Sequence, residues 1–82
     1  MKIWVVLEAN NCDTDIWISD PFYSEEQAQK HLLERYEENV LEIGEDRIES
    51  VWHTNNVYSI LDYGNDYYYG VVRSIDIKED SI

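Results

Sequence analysis

The chain has 82 residues, a hydrophobic share of 44%, and three Trp, seven Tyr and one Phe, enough for one core and too little for a second. Eighteen acids against six bases leave a formal charge of -12, which disfavours nucleic acid and anionic membranes as direct ligands and favours basic protein surfaces. A single cysteine, Cys12, excludes an intramolecular disulfide and suits the cytoplasm, and the short apolar run before Glu8 predicts neither a signal peptide nor a membrane span.

Residues 2–9, KIWVVLEA, read as a buried strand, because β-branched and aromatic residues crowd a short run that ends at the turn-prone pair Asn10 and Asn11. IWIS at 16–19 is a shorter strand that forms a hairpin with the first through a loop too long for a two-residue turn. Pro21 then fits a strand-to-helix turn. Ser24 followed by Glu25, Glu26 and Gln27 matches a capping box, and Ala28, Leu32, Tyr36 and Val40, with Leu33 and Leu41 beside them, predict an apolar helix stripe ending near Gly44.

RIESVWH at 47–53 alternates, with Ile48 and Trp52 on one face, and predicts a third strand. VYSILDY at 57–63 follows as the fourth, after a turn at Thr54–Asn56. Gly64, Asn65 and Asp66 tolerate a left-handed backbone and mark a hairpin tip, from which YYYGVVRSIDI returns as the fifth. The order β-β-α-β-β-β predicts one α+β domain over 1–82, with a tail at 78–82 that frays: an antiparallel sheet of four to five strands with a single helix on one face. One helix covers only one face, so the other must be wet or meet a partner.

Signals for chemistry are weak. In NNCDTD, Asn11, Asp13 and Asp15 have the spacing of the first calcium-loop ligands, but Ile16 stands where the loop needs glycine and Phe22 where it needs glutamate. His31 and His53 have no ligand partner at metal spacing, and Asp13 beside Cys12 raises the thiol pKa and so keeps the thiolate scarce. No phosphate loop, nucleophile elbow or zinc-protease motif is present. The chain therefore reads as a non-enzyme without catalytic residues, metal or cofactor.

The strongest signal is acidic. Glu34, Glu38 and Glu42 recur every four residues, with Glu37, Glu45 and Asp46 adjoining, so a helix would carry a carboxylate about every 6 Å along one edge. The segment DYGNDYYYG at 62–70 adds Asp62 and Asp66 beside Tyr67, Tyr68 and Tyr69. Alternation puts Tyr67 and Tyr69 on one sheet face and Tyr68 on the other; whichever faces away from the helix suits an interface anchor that stacks on Arg or Lys. These eleven residues are the expected partner-binding set.

The opening MKIWVV, followed by a strand and then by FYSEEQAQKHL, resembles a layout seen in small phage and bacterial proteins. Size and charge resemble phage inhibitors of host defence, of the anti-CRISPR and DNA-mimic type. That resemblance implies an acidic inhibitor acting in the host cytoplasm on the basic surface of a Cas effector, restriction enzyme or nuclease. A bacterial immunity or adaptor protein that neutralises a basic toxin is the alternative, and a small metal or ligand sensor the third; a homodimer is a further candidate assembly.

Overall fold

The computed structural model describes residues 1–10, 16–62 and 65–78. They form β1 (Lys2–Asn10), β2 (Trp17–Ile18), α1 (Glu25–Ile43), a 3-10 turn (Glu45–Arg47), β3 (Ser50–His53), β4 (Val57–Asp62) and β5 (Asn65–Asp76). The strands make one sheet in the order β2-β1-β5-β4-β3, every pair antiparallel. The expected α+β arrangement is present, and no described helix is long and apolar enough to cross a membrane.

Register fixes which side chains share a face, because directly opposed residues point the same way. Val6 opposes Val72 and Glu8 opposes Gly70, while Tyr58 opposes Gly70 and Ile60 opposes Tyr68. All of these lie on the helix side. There Val6, Val72, Ala28 and Leu32 form the buried cluster, with Trp4, Phe22 and Tyr58 packed around it. The intervening residues, among them Val5, Leu7, Val57 and Val71, form the opposite face, against which no described element packs.

The first edge is tied down by main-chain bonds. Ser19 donates its N–H to the Val6 carbonyl (2.9 Å), and Phe22 and Trp4 exchange both of their backbone bonds (2.8 and 2.9 Å). The Ser19 hydroxyl accepts the Val6 N–H at 2.9 Å. The chain thereby follows β1 beyond the two residues of β2 and delivers Ser24 to the helix start. Ser24 has extended backbone and its hydroxyl accepts from the Gln27 N–H at 3.2 Å, the first half of the expected capping box.

Three expectations need correction. The apolar stripe does not run through Val40 and Leu41: the buried helix residues are Ala28, Leu32, Asn39 and Ile43, while Leu33 is 40% and Leu41 84% exposed. Each step of four residues advances about 40° past a full turn, so Val40 lies about 120° around the helix from Ala28. Asn39 and Ile43 stay on the core line. Residues 47–53 are likewise not one strand, because the chain turns at Gly44, whose φ of 86° suits glycine. Arg47 and Ile48 then donate to the Gly44 and Glu45 carbonyls (3.1 and 3.2 Å), which leaves Ile48 outside β3 and Trp52 exposed on it.

The expected hairpin tip also shifts. Asn65 and Asp66 belong to β5, opposite Asp62 and Leu61, while Gly64 lies outside the described residues. Between Ile60 and Leu61 the register slips, since their partners are Tyr68 and Asp66. Tyr67 therefore occupies a β-bulge, where two residues of one strand oppose one of the other.

Candidate functional surface

Glu8 ends the apolar run of β1 on the face that carries Trp4 and Val6, so its carboxylate projects beneath α1. Its Oε1 accepts two bonds there: from Arg35 Nε at 2.8 Å and from the Tyr68 hydroxyl at 2.9 Å. Arg35 also reaches Glu38 through Nη1 at 2.8 Å, and Asn39 Nδ2 donates to the Arg35 carbonyl at 2.7 Å. Three elements, β1, β5 and α1, are thus joined at one carboxylate oxygen, beside a hollow of about 310 Å³ lined also by Trp17.

Burial of Tyr68, and then the Glu8 charge beside it, push its phenol well above the usual range, and the hydrogen bond to Glu8 raises the Arg35 guanidinium. Tyr68 therefore keeps its proton and donates a hydrogen bond to Glu8. The cluster acts as a strut between sheet and helix. Tyr36 is also raised, first by burial and then by its neighbour Tyr58. Unfolded phenols titrate near 10, so above about that pH the unfolded chain has lost protons that the native one retains, and stability falls. Melting temperature should therefore decline from about pH 10 upward, and Tyr68→Phe should flatten the decline.

The expected partner-binding residues divide among three locations. Glu34, Glu37, Glu38 and Glu42 are all exposed on α1, and Glu45 and Asp46 continue them, exposed, into the 3-10 turn. Asp62 is largely covered, its side chain 15% exposed and bonded to Arg47 Nη2 at 2.9 Å, so its charge is met within the chain. Asp66 stands opposite Leu61 in β5. Tyr68, at 2% exposure, belongs to the core, which corrects its place as a surface anchor. Tyr67 is half-buried, and Tyr69 is 43% exposed on the face away from the helix. The tyrosines and the acidic stripe therefore do not form one surface.

What accompanies the acids is Leu41. With Tyr36 and Val40 it lines a shallow hollow of about 260 Å³ beside Glu37, so the outer side of α1 combines carboxylates with an apolar foothold. The sequence signal was there in the helical period, which turns Leu41 away from the line through Ala28 and Ile43. The histidines have aromatic neighbours: His31 meets Phe22 with ring centroids 5.2 Å apart, and His53 stacks on Tyr58 at 5.1 Å, whose ring stacks in turn on Tyr36 at 4.5 Å. Asn11, Cys12, Asp13 and Asp15 lie outside the described residues. Among the described residues no group of three His, Cys, Asp or Glu has a metal-binding arrangement. Comparison with protein-family models, with curated proteins and with solved structures finds no match to this chain.

Proposed function

We propose that the protein is a non-enzymatic, acidic binding protein whose α1 docks on a basic, nucleic-acid-binding surface of another protein and blocks it, in the manner of an anti-CRISPR or DNA-mimic inhibitor. The observation that carries this reading is the run of six exposed carboxylates, from Glu34 to Asp46, around the 84% exposed Leu41. Like charges four apart on a helix cost a few tenths of a kcal/mol each. Glu38 pairs with Arg35 at 2.8 Å, and the outward line of carboxylates as a whole suits a cationic partner.

Complementary charge accelerates encounter, and a desolvated apolar anchor slows departure. Immobilised protein exposed to a host-cell lysate should retain a nucleic-acid-binding protein that elutes with salt. Changing Glu34, Glu37 and Glu42 together to Gln should leave the melting temperature unchanged or slightly higher, while the on-rate and its salt dependence both fall. Leu41→Ala should alter stability by less than about 0.5 kcal/mol and weaken binding by at least about 1 kcal/mol through the off-rate. Retention of the same protein by the triple Gln variant, with unchanged kinetics across a salt series, would remove α1 from the interface.

A further inference from the structure

The shallow hollow on α1 combines three kinds of surface in one place. Tyr36, Glu37, Val40 and Leu41 stand at i, i+1, i+4 and i+5, in neighbouring rows of the helix, and together line about 260 Å³. Val40 and Leu41 contribute aliphatic surface, Tyr36 a ring and Glu37 the one charge. The ring is held in place, because Tyr36 stacks on Tyr58 at 4.5 Å and Tyr58 on His53 at 5.1 Å. Burial first, then Tyr58 and the Glu37 carboxylate, raise the Tyr36 phenol. The Glu37 charge therefore reaches the ring.

That charge has no cation of its own. Among the described residues Arg35 pairs with Glu8 and Glu38, and Arg47 with Asp62, which leaves Glu37 outside these ion pairs. Arg35 lies about 160° around the helix from it, and Lys30, on the same side, is seven residues and about 10 Å toward the N-terminus. The last turn of α1 contains no basic residue, although the helix dipole makes that end negative and favours a cation there. The hollow sits one turn from this end.

A carboxylate beside exposed aliphatic surface suits a ligand that is apolar along its length and cationic at its tip. Clefts for free small molecules run from about 300 Å³ upward and enclose most of the ligand, so a shallow hollow of about 260 Å³ fits a single side chain. A guanidinium meets all three surfaces: its methylene stem lies on Val40 and Leu41, its plane stacks on Tyr36 and its fork takes Glu37. An ammonium has neither plane nor fork. We propose that this hollow receives one arginine side chain from the basic surface of the partner. The proposal rests on the docking of α1 and deepens it: the line of carboxylates attracts the partner, and the hollow fixes where it sits.

The hollow can be tested without the partner, so the two readings fail separately. Titrating n-butylguanidinium into the isotope-labelled full chain should shift the Val40 and Leu41 methyl signals and the Tyr36 ring signals saturably in NMR spectra. n-Butylammonium should bind at least threefold more weakly, and uncharged n-butylurea should leave the signals in place. Glu37→Gln should weaken guanidinium binding at least threefold. Glu42→Gln, which removes an equal charge about 140° around the helix, should weaken it much less, and Tyr36→Phe, which keeps the ring, should preserve it. At equal ionic strength n-butylguanidinium should also elute the protein retained from lysate ahead of n-butylammonium. Unmoved Val40 and Leu41 signals, a response that n-butylurea matches, equal losses from Glu37→Gln and Glu42→Gln, or equal elution by the two cations would each overturn the arginine site. Retention of a basic protein that salt elutes would in those cases still support the docking of α1.

Discussion

Tyr68→Ala is expected to remove most of the domain's stability. The side chain is 2% exposed and is one of the largest that is fully buried, and truncating an aromatic in such a place costs about 3–5 kcal/mol. A chain of this length has in total only about 4–12 kcal/mol. The substitution also withdraws one of the two donors to Glu8 Oε1. Tyr68→Phe separates the two contributions: it preserves the packing and removes only the donor, which costs about 1–3 kcal/mol for a buried acceptor. Urea unfolding of the three proteins should give that order, with the alanine variant largely unfolded at 37 °C. Equal effects of Phe and Ala would mean that the hydroxyl, and not the ring, carries the stabilisation.

The second large effect is expected at Gly70. Glu8 is its direct neighbour across the strands, so the Tyr68 ring must lie over Gly70 to bring its hydroxyl to that carboxylate. A Cβ at residue 70 would stand 2.5 Å from the Tyr68 hydroxyl oxygen and 2.6 Å from Leu32 Cδ1. Both neighbours are fixed, one by its bond to Glu8 and the other by full burial under α1. Gly70→Ala should therefore cost about 1–3 kcal/mol by overpacking, despite alanine's better conformational entropy, and Gly70→Val more. A melting temperature unchanged in the alanine variant would show that the ring can move aside and that the strut is looser than its geometry implies.

Much of the architecture is legible in local sequence, because its cues are local. Ser24 and Gln27 declare the helix start, Gly44 its end, and the crowding of β-branched residues in KIWVV and VVRSI the central strands. The reading fails where a regular repeat is followed without its drift. Ala28, Leu32, Tyr36 and Val40 look like one line, but the helix rotates the last of them aside and brings Asn39 inward. A polar residue at a core position has no sequence signature of its own. Its amide is satisfied one turn back, by the main-chain carbonyl of residue 35, an acceptor that any residue there would supply.

The candidate surface was partly readable for the same reason. Exposed carboxylates at helical spacing follow from the period, and Tyr68 and Tyr69 part company by strand alternation, although which faces the helix depends on the pairing of β5 with β1. The Glu8–Arg35–Tyr68 strut joins residues 27 and 60 positions apart, a separation that no local pattern spans. Its one sequence trace is Glu8 itself, an acid in step with Trp4 and Val6 on a strand. A single helix on a single sheet leaves the carboxylates of α1 outward, while the opposite sheet face mixes aliphatic and aromatic positions with Arg73 and Asp66.

Docking of the acidic helix face on a nucleic-acid-binding surface is tested most directly by competition. The protein retained from lysate would be purified, and its affinity for duplex DNA or its guide-bound target measured at rising concentrations of this chain. The account predicts mutually exclusive binding: the apparent Kd for nucleic acid rises in proportion to the added protein, and the Glu34, Glu37 and Glu42 to Gln variant shifts the curve to higher concentration. A ternary complex in which nucleic acid and this protein bind together with undiminished affinity would contradict it.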